Sequence, residues 1–161
     1  MGRLVIPYLT RNGIVNIKFR CLQDHKCEGH GKYLGLPGRN NLYNVQALFD
    51  ANDTIAICEG EISALVVSAN GIPAVGIPGA SSWQPHYKYV FQDYTRIIAL
   101  CDGDEAGRKM GVFLQEKIGA TVVNMPSGGA SRLPSRYSLY SRITRCVSDS
   151  SVFSSAGATS P

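Results

Sequence analysis

No stretch of this 161-residue chain stays apolar long enough to cross a bilayer, which takes about 20 residues. The first residues also lack the charged-then-apolar order of an export signal. A membrane span is thereby set aside, and a cytoplasmic location is expected. A disulfide framework is missing as well: Cys21, Cys27, Cys58, Cys101 and Cys146 show no paired spacing, as suits a reducing compartment. Lysine is absent from residues 127–161, and Asp149 is the one carboxylate there. That stretch is Ser-rich, holds four Arg and shows no sustained apolar period, so it is expected to be disordered.

What is present is enough for one domain with a real core, or one domain plus a small appendage. The net charge of +4 is unevenly spread. Residues 1–48 hold seven Lys/Arg against two Asp/Glu, whereas residues 49–126 hold five against nine. A basic first segment beside an acidic middle suits a protein that grips a polyanion with one part and binds cations with the other. Three segments are expected: a basic N-terminal one at 1–50, a domain at 51–126 and the Ser/Arg-rich tail at 127–161.

Leu4–Leu9 and Ile14–Arg20 read as strands, and Asn12-Gly13 between them is a hairpin signal. Residues 21–41 read as a long loop, and Val45–Asp50 as a short helix. From Thr54 the pattern changes to strand and helix in alternation. Strands are expected at Thr54–Cys58, Pro73–Ile77, Arg96–Cys101 and Thr121–Met125. Helices are expected at Glu61–Ala69, with Ile62, Leu65, Val66 and Ala69 as its apolar face, at Gln84–Gln92 and at Asp104–Ile118. Such alternation makes right-handed crossovers and an α/β fold with a mostly parallel sheet of about four strands. Chemistry in these sheets gathers beyond the carboxyl ends of the strands.

Both acidic motifs fall there: Cys58-Glu59-Gly60-Glu61 and Cys101-Asp102-Gly103-Asp104-Glu105. A carboxylate at the end of a buried strand is held rigidly with one side open. Asp102 and Asp104 flank a glycine and can converge on one ion. Oxygen donors without His or Cys favour Mg²⁺ or Mn²⁺, and clustered carboxylates repel one another unless a cation lies between them. Singly, each motif is as readily a helix cap, because a helix N-terminus favours negative charge. Together, at matching strand ends, Glu59, Asp102 and Asp104 point to a metal site. Cys58 and Cys101 alternate away from the acids into packing.

These motifs resemble the Toprim fold shared by primases, topoisomerases and some nucleases, over about residues 54–126. The basic segment sharpens the resemblance. Arg3-Leu4-Val5-Ile6-Pro7, Asn12-Gly13, Phe19-Arg20, Lys32-Tyr33-Leu34 and Leu42-Tyr43-Asn44 are similar in order and spacing to the segment preceding Toprim in bacterial and phage-type DNA primases. Asp102-Gly103-Asp104 followed by Ala106-Gly107-Arg108 is also the primase form. The resemblance implies a Toprim-like fold behind a small basic β-hairpin segment. It further implies a nucleotidyltransferase that makes RNA primers on single-stranded DNA from ribonucleoside triphosphates with Mg²⁺ or Mn²⁺. Arg3, Arg20, Lys32 and Arg108 would then contact template or nucleotide. Other primase or helicase subunits would serve as partners, in the host cytoplasm if the chain is phage-encoded. A Toprim nuclease and a non-catalytic nucleic-acid-binding subunit of a split primase are the alternatives. The chain departs from the family at Ser63, where Asp is usual, at Gly31, where Pro is usual, and after Gly128, where an acidic stretch is missing. That last break is expected to mark an altered end, as a change of reading frame would leave.

Two weaker signals remain. Cys21, His25, Cys27 and His30 offer four zinc-type ligands, but packed more tightly than usual zinc spacings, so a polar loop is expected instead. Gly76-Ile77-Pro78-Gly79-Ala80-Ser81-Ser82 reads equally as a phosphate-binding turn or a plain one. Trp83 and Tyr87 are expected to pack.

Overall fold

A computed structural model of the protein describes residues 2–23, 29–37, 40–78 and 80–125. The tail expected to be disordered, and the proposed alteration after Gly128, lie outside the described residues.

The N-terminal segment is an antiparallel sheet. Strands β1 (Arg3–Thr10) and β2 (Gly13–Cys21) form the expected hairpin. Gly13 closes it at φ +114°, a conformation side chains disfavour. Thr10 Oγ1 accepts from the Asn12 N–H at 3.2 Å. The register slips between Tyr8 and Leu9. The stretch read as a long loop contributes a third strand, β3 (Tyr33–Gly35), paired with β2 through Phe19 and Leu34. Three residues carry too short a period to stand out in sequence; pairing with β2 supplies what propensity does not. A short helix α1 (Ala47–Asp50) then leads to the second sheet.

That sheet holds β4 (Thr54–Cys58), β5 (Ala74–Gly76), β6 (Arg96–Cys101) and β7 (Thr121–Asn124), all parallel, in the order β5-β4-β6-β7. Helices α2 (Glu61–Ala69), α3 (Tyr87–Phe91) and α4 (Glu105–Ile118) connect them. The strands are short apolar runs because both faces are covered. One core cluster joins Ala56, Cys58, Ile98 and Leu100 to Ala64 and Val67 of α2 and to Ile6 and Tyr8 of β1. The other joins Ile55, Ile57, Ile97 and Ala99 to Phe91 of α3 and to Met110 and Leu114 of α4. Trp83 packs against Phe91, Phe113 and Tyr87, and Tyr87 donates to the Asn40 carbonyl, so both aromatics pack as expected.

The face of α2 differs from expectation. Glu61, Ala64 and Val67 are buried, while Leu65 and Ala69 face outward. A carboxylate on the inner face hid the true stripe, because Glu61 has partners that only the fold supplies. Helix α4 ends as expected at Gly119, which adopts φ +68°.

Candidate metal and nucleic-acid site

After β4 the chain builds β5 on one side, then returns to place β6 on the other. The carboxyl ends of β4 and β6 therefore flank a topological switch point, where open α/β sheets form their crevice. Glu59 leaves β4 there and Asp102 leaves β6, with Cys58 in register with Leu100. Cys58 and Cys101 are buried, and burial pushes both thiols up, that of Cys101 to about 11. They are inert packing groups.

The three sequence-predicted acids share one electrostatic field. Burial raises the Glu59 carboxyl above the usual range, and the charges of Asp102 and Asp104 add to the shift. Asp102 is raised likewise, by burial first and then by Asp104. Glu59 Oε2 is buried without a hydrogen-bond partner. Asp104 caps α4: its Oδ1 accepts from the Gly107 N–H at 2.8 Å. Cap and ligand are compatible roles, since capping uses one of two carboxylate oxygens. Among the described residues, no three His, Cys, Asp or Glu side chains are drawn together as a finished metal cage.

Two glycines shape this mouth differently. Gly60 is extended, and a Cβ there would meet nothing within 4 Å, so it leaves open space. Gly107 lets α4 sit on the end of β6: a Cβ there would lie 2.1 Å from the Asp102 carbonyl oxygen. The Ala-Gly-Arg run after the acids thus has a steric cause.

Glu61 takes no part in that cluster. Its Oε1 accepts from Tyr8 Oη at 2.5 Å and from Lys18 Nζ at 2.6 Å. Burial alone would raise this carboxyl, but the bonds from Lys18 and Tyr8 outweigh it and hold it below the usual range. Burial and the Glu61 contact push the Tyr8 phenol up. Lys18 and Tyr8 went unnoticed in the sequence, because nothing local links positions 8, 18 and 61.

The four predicted basic contacts fall into two sets. Arg3, Arg20 and Lys32 gather at the sheet end opposite the hairpin turn. Arg3 pairs with Cys21, whose N–H meets the Lys32 carbonyl at 2.9 Å, and Arg20 pairs with Tyr33. The Arg20 guanidinium lies 5.6 Å from the Tyr33 ring centroid, and Arg3 reaches the Gly31 carbonyl at 3.5 Å. Arg108 sits instead beside the acids, donating to the Gly103 carbonyl at 3.0 Å. Of the cysteine–histidine cluster, Cys21 Sγ and His30 Nε2 lie 3.3 Å apart, while His25 and Cys27 are outside the described residues. Gly79 of the possible phosphate turn is outside them too; Ser82 Oγ donates to the Pro78 carbonyl at 2.6 Å. No helix among the described residues is long and apolar enough to cross a membrane.

No protein-family model matches the chain. It is 38% identical over 134 residues to the Gene 57 protein of Mycobacterium phage D29, covering 79% of this chain and 86% of that protein. Its fold is that of bacterial primase catalytic cores. The crystal structure of a DNA primase domain from Pseudomonas aeruginosa matches with a TM-score of 0.72 and 26% identity, over 89% of this chain and 50% of that one. A DnaG primase catalytic domain bound to single-stranded DNA matches at 0.70 and 21% identity, over 92% of this chain and 55% of that one. The chain thus spans about half the length of the primase structures it matches.

Proposed function

The chain belongs to the family of the phage D29 Gene 57 protein, and from that premise and the primase fold we propose that it is the catalytic core or subunit of a DNA primase, joining ribonucleotides on a single-stranded DNA template. The observation that carries this is the buried, unpartnered Glu59 Oε2, set in one field with Asp102 and Asp104 at the switch point. Such a set fits a hard divalent cation. The oxygens are carboxylate, one of them has no donor, and burial, with the acids' mutual repulsion added, raises Glu59 and Asp102.

Glu59, Asp102 and Asp104 would hold Mg²⁺ or Mn²⁺. When bound, the ion would polarise a phosphoryl oxygen and offset the charge that develops as a primer 3′-hydroxyl displaces pyrophosphate from the α-phosphate. The chain's own part is positioning. Capping by Asp104 fixes the first turn of α4, and with it Arg108, beside the acids. Arg108 would neutralise phosphate charge there. Arg3, Arg20 and Lys32 would hold the backbone of template or nucleotide, a sequence-independent grip.

A second reading, a subunit that needs a partner chain to turn over, draws support from Ser63. It is partly buried in the first turn of α2 where the resembling family usually has Asp.

Calorimetric titration of Mg²⁺ or Mn²⁺ into the wild type and the Asp102→Asn/Asp104→Asn variant tests the site, with and without nucleoside triphosphate. Binding by the wild type and its loss in the variant is expected, followed by template-dependent incorporation of labelled ribonucleotides. Absence of binding in the wild type under both conditions would sink the metal reading. Metal binding without incorporation would favour the partner-dependent subunit.

A further inference from the structure

Glu61 stands two residues from Glu59, yet it is tied to another part of the molecule. It is 4% exposed, and both donors to its Oε1 come from the N-terminal sheet, Tyr8 from β1 and Lys18 from β2. With two donors on one oxygen and its charge balanced by Lys18, Glu61 is poorly placed to serve as a further metal ligand.

The bonds converge on the turn that carries Glu59. The Tyr8 ring packs edge-on against Tyr43 at 5.0 Å and 76°. Tyr43 exchanges both backbone hydrogen bonds with Gly76, at 2.9 and 3.1 Å. Gly76 in turn abuts Gly60, since a Cβ on Gly76 would sit 3.2 Å from the Gly60 carbonyl oxygen. One path thus runs from the antiparallel sheet to Glu61 directly, and a second reaches Gly60 through Tyr8, Tyr43 and Gly76. Together they hold Gly60 and Glu61, the two residues that follow Glu59.

The sheet's register says what these ties orient. Directly paired residues share a face. Lys18 pairs with Ile6, Arg20 with Leu4 and Tyr33 with Arg20. Ile6 and Tyr8 are buried against the α2 side of the parallel sheet, so Lys18, Arg20 and Tyr33 lie on that same inner face. The Tyr33 phenol is raised by burial first, with Arg20 opposing and the Glu61 charge adding, so this end of the sheet lies within the field of Glu61.

We propose that Glu61, clasped by Lys18 and Tyr8, is a positioning residue that fixes the antiparallel sheet, whose end gathers Arg3, Arg20 and Lys32, against the Glu59 turn, so that a nucleic-acid strand held by that sheet is presented to the acidic site. This rests on the primase reading given above. Lys18 then acts through Glu61, not as a phosphate contact of its own.

The full chain and its Lys18→Met, Lys18→Arg and Tyr8→Phe variants decide it, compared well below their melting temperatures. Two quantities are read: hydrogen exchange of amides in β1, β2 and residues 58–64, and binding of a labelled single-stranded oligothymidine across a salt series. Lys18→Met is expected to speed exchange in all three segments and to weaken DNA binding about tenfold. Lys18→Arg is expected to restore both, the recovery that distinguishes a positioned pair from general packing. Tyr8→Phe, which keeps the buried ring, should shift both readouts in the same direction and covers the case in which Lys18→Met fails to fold. Unchanged exchange and affinity in Lys18→Met would overturn the proposal. So would unchanged exchange with a salt slope reduced by about 0.7, the mark of one lost phosphate contact on a single strand. If the wild type binds no DNA, the template reading fails by itself, and the exchange data still decide whether the clasp exists.

Discussion

The two sheets of this molecule are built on opposite plans. In the parallel sheet Ile55, Ala56, Ile57 and Cys58 of β4 are wholly buried, and β6 is nearly so from Ile97 to Cys101. The antiparallel sheet is covered less completely: Ile6 and Tyr8 are buried, while Val5, Leu9, Ile14, Val15 and Leu34 are about half exposed. The acids stand at the ends of the rigid sheet, where a carboxylate can be held against its neighbours' repulsion. Arg3, Arg20 and Lys32 stand instead on or beside the sheet with fewer fixed neighbours, where the proposed grip would accommodate a flexible strand. Sites that need sub-ångström geometry belong on the first kind of element, and adaptable polyanion grips on the second.

One methyl group placed where α4 meets the end of β6, and one placed in β3, break this comparison most sharply. Gly107→Ala would drive a Cβ to 2.1 Å from the Asp102 carbonyl oxygen, and rigid backbone cannot yield. A loss of about 3 kcal/mol in urea unfolding is expected. Gly35→Ala in β3 would meet only the Lys18 Cγ at 3.7 Å, and its change should stay within about 0.5 kcal/mol. Comparable losses at both positions would contradict the contrast.

Acid titration separates the two sheets by sign. Asp102 has a raised pKa in the fold, so its contribution is present below the unfolded carboxylate value and lost as pH rises through the folded one. Glu61 is depressed by its bonds to the antiparallel sheet, so its contribution is present above the unfolded value and lost as pH falls. In metal-free protein, Asp102→Asn should therefore raise the melting temperature at neutral pH and steepen the loss toward about pH 4. Glu61→Gln should lower it at neutral pH and flatten the acid limb. Thermal melts in chelator across that range check both, and profiles moving in the same direction would contradict the assignment.

A smaller effect is expected at the proposed grip. Arg20→Ala should weaken single-stranded DNA binding and lower the salt slope by about 0.7, with Mn²⁺ affinity unchanged. The smallest belongs to Lys109→Ala. Its pair with Glu105 at 2.7 Å is largely exposed on both sides, and its removal should cost about 0.5 kcal/mol or less by denaturant titration.

Much of this arrangement was legible beforehand where the signal is local. Strands β4 and β6 and helix α2 fall at the expected residues, because apolar runs bounded by Gly and Pro punctuate the chain. Asp104 was equally readable as cap or ligand, and it is a cap with one oxygen to spare. Strand β3 and the buried face of α2 were not legible. The first exists through pairing with β2, and the second through a buried Glu whose partners lie 43 and 53 residues away.

The amino-acid sequence by itself determined the alternation that makes a parallel sheet and the placing of Glu59, Asp102 and Asp104 at strand ends, since period and spacing are properties of neighbours along the chain. Only the tertiary structure decided that Glu59 would keep an unpartnered buried oxygen, that Gly107 would abut Asp102, and that Glu61 would join two sheets instead of joining the acids. Those outcomes depend on desolvation and close approach between segments remote in sequence, and such energies do not exist until the elements pack.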